Sequence, residues 1–314
     1  MKLNCKNVRL QVRSNLILMG YLLKLFKTLA CGAIITGGTC FAAIGQTSQT
    51  AAPQANIIPA DAMPVVFAPG VISTGDEFAP SFTPDGNTVY FTHGTPEIYF
   101  SKLVNGKWTG PKVAAFSGRW KDMDPFISPD GKQLFFSSYR PLSGPPQDSM
   151  STFAHIWYVD HISGDNWSAP HHLEAPVNLE GIDNYAPSVS RSGTLCFFSP
   201  RRDVNNKGKS YAAKWQGDHY DEPKVLSLNG ANGVRDPYIA PDESYIIFVS
   251  GNDLYISYHK NDEWSAGQKL SSQVNNGDGN SSPCVSPDGN MLYYSANNAK
   301  GILMVPLNLL KAIP

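Results

Sequence analysis

An all-β fold, a β-propeller of five four-stranded blades closed by a strand from near the N-terminus, is what this sequence predicts. Three observations carry the prediction. A proline-anchored segment recurs five times, its copies lie 45, 62, 50 and 46 residues apart, and the two chain ends hold complementary strand fragments. Strand-type content repeating every 40–50 residues is the signature of propeller blades.

The copies begin at Pro80, Pro125, Pro187, Pro237 and Pro283 and read PSFTPDGNTVYFT, PFISPDGKQLFFS, PSVSRSGTLCFFS, PYIAPDESYIIFV and PCVSPDGNMLYYS. Each opens on a short apolar first strand. An Asp-Gly pair such as Asp85-Gly86 then supplies the positive φ of a tight hairpin. A β-branched and aromatic run follows, as in Val89-Tyr90-Phe91 or Leu134-Phe135-Phe136, and makes the second strand. The third is seen in Ile98-Tyr99-Phe100, Ile156-Trp157-Tyr158 and Leu254-Tyr255-Ile256. The fourth opens at an aromatic followed by Pro or Gly: Trp108 with Pro111, Trp167 with Pro170, Tyr220 with Pro223, Trp264 with Gly267. Four strands make one blade.

The chain ends complete the count. Pro64–Val71 sits where a fourth strand would, yet no blade precedes it, and the last copy stops after its third strand, Ile302–Val305. The early strand should finish the last blade and remove an exposed sheet edge. A sixth blade would need about 40 further residues, and no unassigned stretch of that length remains.

Ahead of the repeats the composition changes. Lys2, Lys6, Arg9, Arg13, Lys24 and Lys27 have no acid among them, and an apolar small-residue run covers Leu29 to Gly45. Ala43-Ile44-Gly45, or Cys40-Phe41-Ala42, has the form of a signal-peptidase site. Residues 1–45 therefore read as a signal peptide, with Met1 or Met19 as start, and the mature chain is expected to begin near Ala43 or Gln46. Gly37, Gly38 and Thr39 interrupt the run, which argues against a membrane anchor. Residues 46–63 read as a flexible spacer and 64–314 as the propeller. The protein is expected to be exported, periplasmic or secreted, without membrane insertion after cleavage.

The full chain of 314 residues carries a formal net charge of −1, which removes any broad electrostatic reason for nucleic-acid binding. Of five cysteines only Cys196 and Cys284 lie beyond the leader, on apolar strand positions in different repeats, and read as two buried thiols. A monomer is expected.

The Ser-Pro-Asp-Gly turns Ser128–Gly131 and Ser286–Gly289, with Trp-Ser-Ala-Pro at Trp167–Pro170, resemble the WD-repeat-like repeats of the TolB-like propeller family, which includes exported bacterial proteins of unassigned function. The resemblance covers about Pro64 to Val305. It implies a periplasmic or surface location and a protein or other ligand bound at one propeller face. A six-bladed TolB-like ring is the alternative architecture. Two departures stand out: Arg191-Ser192-Gly193 replaces Pro-Asp-Gly, and Glu243 replaces a turn glycine. There the blades are still dictated, but the turns are not. TolB's extra N-terminal domain has no room here, so its partner is not carried over.

Strand order puts the Asp-Gly turns on one face and the residues before each anchor proline on the other, at the mouth of the central channel. Glu77, Asp122, Asp124, Asn184, Arg235 and Asp236 gather there, with Arg140 at the start of the longest loop, Pro141–Phe153. Such a ring suits a cation, a basic peptide or a sugar. It equally suits a structural role, capping strand backbones and pairing with arginine.

Catalytic motifs are lacking. The seven histidines show no H-x-x-x-H or H-E-x-x-H spacing, and no G-x-S-x-G occurs. Asn275–Asn280, NNGDGN, lacks the spaced carboxylates of a calcium loop and reads as a turn. No cofactor, metal or catalytic residue is expected. The function expected is an exported module that binds a protein, peptide or glycan; the alternative is a glycan lyase or hydrolase using the acids at the channel mouth.

Overall fold

The computed structural model describes residues 57–94, 96–142, 149–200, 202, 208–228, 233–297 and 301–308, and the expected leader lies outside them. The described chain is an all-β propeller of five antiparallel blades. Blade 1 runs Glu77–Phe82, Thr88–His93 and Glu97–Val104. Blade 2 runs Asp122–Ile127, Gln133–Ser138 and His155–Ser163. Blade 3 runs Tyr185–Val189, Leu195–Ser199 and Lys209–Ala213. Blade 4 runs Arg235–Ile239, Tyr245–Ser250 and Asp253–Lys260. Blade 5 runs Asn280–Val285, Met291–Ala296 and Ile302–Pro306.

The outermost strand is short and in most blades split. In blade 1, Lys107–Trp108 pairs with the end of the third strand and Lys112–Val113 with its middle. In blade 5 it comes from the other end of the chain: Val65 pairs with Met304 and Val66 with Leu303, which closes the ring as expected. Packing begins earlier than the expected boundary at residue 64. Ile57 and Ile58 are buried in the core, and Asn308 donates its amide to the Ile57 carbonyl at 2.7 Å. Their apolar side chains, at the end of a polar stretch, account for this.

The inner hairpins are four-residue turns, one step longer than a bare Asp-Gly pair. In blade 2, Gly131 N donates to Ser128 O and Ser128 N to Gln133 O, both at 2.8 Å. Ser128 Oγ and Lys132 N donate to Asp130 Oδ1, and Gly131 takes φ +72°. Proline at the second position and a left-handed glycine at the fourth suit a type I turn with a bulge. The two departing turns close the same way. Gly193 N reaches Ser190 O at 3.1 Å, and Glu243 N reaches Ala240 O at 3.0 Å with Glu243 itself at φ +61°.

The core lies between blades, not within one. Tyr90, Ile98, Leu134 and Phe136 join blades 1 and 2; Phe135, Ile156, Leu195 and Phe197 join 2 and 3; Cys196, Leu226, Ile246 and Phe248 join 3 and 4. Each such side chain, fully buried, contributes about 1.5–3 kcal/mol. Both cysteines in the described region are buried free thiols, as read from the sequence.

Candidate functional site

The residues before the anchor prolines form two rings with different environments. Three residues before each proline stand Glu77, Asp122, Asn184, Val234 and Asn280, all buried. Glu77 accepts hydrogen bonds from Thr74 N and Gly75 N, each at 2.9 Å, and from Thr74 Oγ1 at 2.6 Å. Burial opposes its charge, but these donors more than offset it and hold the carboxyl below its ordinary range. Asp122 is consumed by Arg140, whose Nη2 lies 2.8 Å from Oδ1, and by Ser138 and Ser117. Arg140 is itself buried, donates to Phe116 O, and stacks over Phe136 and Trp157. The fork expected at the mouth is therefore turned inward as one half of a structural ion pair. Asn184 donates to Val177 O and Asn178 Oδ1, and Asn280 repeats this with Val274 O and Asn275 Oδ1.

Asn178 and Asn275 were missed in the sequence. Each clamps a third strand by its own amide: Ile156 N donates to Asn178 Oδ1 and Leu254 N to Asn275 Oδ1. The repeated Val-Asn pair, Val177-Asn178 and Val274-Asn275, is the signal that would have found them. It also explains NNGDGN as a structural turn. Arg202 is another internal group, donating to Val177 O and Pro176 O, while Arg201 and the middle of the Pro141–Phe153 loop, residues 143–148, lie outside the described residues. Arg235 donates to Gly251 O.

Immediately before each proline stand Ala79, Asp124, Ala186, Asp236 and Ser282, and these line the central channel. All five adopt left-handed backbone, with φ +51°, +54°, +49°, +48° and +49°, and each inner strand shifts register at that point. Bonds between neighbouring blades lie at or beside these non-glycine bulges. Asp124 Oδ2 accepts from Ala186 N at 3.1 Å and Asp236 Oδ2 from Ser282 N at 3.2 Å. Ser81 Oγ accepts from Ile127 N and Ser188 Oγ from Ile239 N, both at 2.8 Å. Serine and aspartate thus alternate as pins from blade 1 to blade 5. Burial, then the neighbouring Asp236 charge, pushes the Asp124 carboxyl up to about 7; burial also raises Asp236. The channel cavity is about 40 Å³, close to the share of one water molecule.

On the opposite face, that of the inner turns, there is room. A cavity of about 190 Å³ between blades 2 and 3 is lined by Phe135, Tyr158, Leu173, Val189, Trp215 and Tyr220, with Asp130, Gln133 and Arg191 at its polar side. Arg191 and Trp215 also border a shallower depression of about 810 Å³ towards blade 4, with Lys214, Gln216 and His259. Arg191 borders a third, of about 330 Å³, between blades 4 and 5. Arg191 is exposed, and its guanidinium makes no hydrogen bond among the described residues. Two departures from the repeat build this region together: Glu243 Oε1 accepts from Ser190 Oγ at 2.7 Å and from Ser192 Oγ, and Arg191 N donates to Pro241 O. Among the described residues no group of three or more His, Cys, Asp or Glu is placed to hold a metal ion.

No family model matches the sequence, and no curated protein does. Solved structures do share the architecture. An α-L-arabinofuranosidase from Lactobacillus brevis superposes with TM-score 0.50 at 14% identity, covering 77% of this chain and 94% of its own. A GH43 endo-arabinanase from Bacillus licheniformis gives 0.48 at 15%, covering 76% and 96%. The propeller domain of Cps50 (Swd1) from Myceliophteria thermophila gives 0.43 at 10%, covering 73% and 69%. At these identities the likeness extends to the fold alone, and the chain is a five-bladed β-propeller.

Proposed function

We propose that this chain is an exported binding module without chemistry of its own, and that its ligand sits on the face of the inner turns. The observation that carries the reading is the contrast between the two faces. At the mouth, Glu77, Asp122, Arg140 and Asn184 are buried in internal hydrogen bonds, and the channel beside Asp124 and Asp236 admits about one water. At the inner turns an exposed arginine borders three cavities, two of them shared with a half-exposed tryptophan. A concave, mostly apolar site with a few convergent polar groups is the usual form of a ligand pocket. The resemblance to the TolB-like repeats supports binding at one face, and the basic leader supports export to the periplasm or beyond.

The test is a screen of glycan and peptide libraries in which binding and turnover are scored together. A ligand should be bound and recovered unchanged, with affinity lost in Arg191→Ala and kept in Asp124→Asn. Turnover that disappears in Asp124→Asn would instead support the glycan-active enzyme. Intact mass of protein from its native host tests export: a chain starting near Ala43 or Gln46 is expected, and a retained leader would refute it.

A further inference from the structure

We propose that the cavity between blades 2 and 3 binds a single sugar ring carrying an anionic substituent, a carboxylate or a sulfate, which Arg191 receives. The proposal rests on the binding reading above and names the ligand class of that site.

Size comes first. A cavity of about 190 Å³ corresponds to about six waters and accommodates one six-membered ring with its substituents. Wall chemistry comes next. Phe135, Leu173 and Val189 form an apolar floor, while Tyr158, Tyr220 and Trp215 present both ring faces and polar atoms. A pyranose has the matching character, with C–H faces for aromatic rings and a rim of hydroxyls. Trp215 and Tyr220 meet edge to face, with centroids 5.0 Å apart and planes at 64°. Such a corner grips a puckered ring; it offers no parallel slot for a flat base.

The hydroxyls point the same way. Tyr220 is only 8% exposed, and neither its hydroxyl nor that of Tyr158 makes a hydrogen bond among the described residues. Neither hydroxyl is one of the sealed, partnerless polar atoms, so both face the cavity open to water, and a ligand hydroxyl would take the place of that water. The backbone speaks against a peptide. The amides of the bordering turns are already spent, with Gly131 N on Ser128 O, Gly193 N on Ser190 O and Thr194 N on Ser190 Oγ. An extended peptide would find no free run of donors there.

Charge completes the assignment. The neighbouring acids are engaged: Asp130 accepts from Ser128 and Lys132, and Asp242 from Ser244 N and Oγ. Burial opposes the Asp242 charge, yet the Ser244 bonds, helped by the Arg191 charge, hold that carboxyl below its ordinary range. The Arg191 guanidinium nevertheless makes no hydrogen bond among the described residues, and a planar guanidinium matches a carboxylate or sulfate in two-point contact. Lys214 lies along the adjoining depression, where Asp242 and Glu243 also stand and its charge acts on Glu243.

Calorimetric titration of the full chain with oligouronides, sulfated oligosaccharides, neutral oligosaccharides, nucleotides and acidic peptides tests this, with the Trp215 indole resonance followed by NMR and assigned through Trp215→Phe. Acidic sugars of one or both kinds should bind, shift that resonance, and lose at least tenfold in affinity in Arg191→Ala; neutral sugars should bind at least tenfold more weakly. Because Arg191 is exposed, the variant should keep the wild-type circular dichroism. Neutral sugars binding equally would overturn the anionic assignment, and peptides or nucleotides binding alone would overturn the sugar; the binding module would survive either result. Acidic sugars that leave Trp215 unshifted and ignore Arg191→Ala would overturn the location. Binding of nothing in either library would remove the module reading as well.

Discussion

Asp124 and Asp236 show how one residue type can look like a site and serve as a fastener. Both stood in the sequence as candidate ligand groups, and both were placed correctly beside the channel. What the sequence hid was the partner, since Ala186 and Ser282 donate their amides from the following repeat, and single-chain spacing does not reveal which amide lies opposite. The five left-handed residues were hidden for a related reason. None is glycine, so no residue type announces the bulge; it is enforced by packing around the ring. The Asp124 carboxyl, raised to about 7 by burial and by Asp236, yields a prediction. Its folded value exceeds the unfolded one of about 3.9, so the folded chain holds the extra proton between them. Stability is then full below pH 3.9 and falls as pH rises towards 7. Asp124→Asn keeps an acceptor for Ala186 N and Ser137 Oγ while removing the charge. It should stabilise by about 4 kcal/mol at pH 8 and scarcely at all at pH 4. Thermal melts should therefore rise by about 8–16 °C at the higher pH alone; an equal shift at both would show that the carboxylate pair is not the cause.

At the scale of the element, the hairpins were the most legible part of the sequence and the links between blades the least. Ser-Pro-Asp-Gly fixes its turn by local bonds, so Ser128–Gly131 could be read directly. The segment from Leu173 to Asn184 could not, because its order comes from Asn178, which accepts from Ile156 N on the third strand of blade 2 and is itself bonded by His172 and Asn184. There His155 Nδ1 and His172 Nε2 lie 2.9 Å apart, a contact that a single shared proton satisfies. Burial lowers both imidazoles, and the His172 charge lowers His155 further, against the opposing pull of Glu174 and Asp183. The unfolded chain, titrating near 6.5, takes up protons first as pH falls. Stability is thus fully present above that value and is lost as pH drops through it towards the folded values. In an Asp124→Asn background, which removes the opposing carboxylate contribution over this range, urea midpoints should fall between pH 7 and pH 5, and adding His172→Gln should reduce that fall. An undiminished fall in the variant would assign it to other groups.

Across the whole molecule, the five-fold period and the unequal chain ends were enough to give blade number and closure, because both follow from counting strands. The character of the closing interface was not legible, since it depends on which rings meet once the ends come together. Blades 1 to 5 are pinned successively by Ser81, Asp124, Ser188 and Asp236; at the junction of blade 5 with blade 1 the Cys284 sulfur meets the Phe82 backbone amide, Ser73 Oγ bonds Ile302, and aromatic packing is added. Phe67, next to the closing strand Val65–Val66, is 4% exposed and meets Tyr293 of blade 5 at 5.1 Å and Phe82 and Trp108 of blade 1 at 5.9 and 5.4 Å. That one side chain therefore touches both sides of the seam. Phe67→Ala should cost about 3–5 kcal/mol, the range for emptying a buried phenylalanine site. The denaturant slope should stay unchanged if the ring still unfolds as one unit. Deleting residues 57–71 should do more, because it also uncovers the edge of Ile302–Pro306 and invites association between chains. Deleting residues 47–56 should leave the melting temperature where it is. If the last two deletions melted alike, the N-terminal strand would not be what closes the ring.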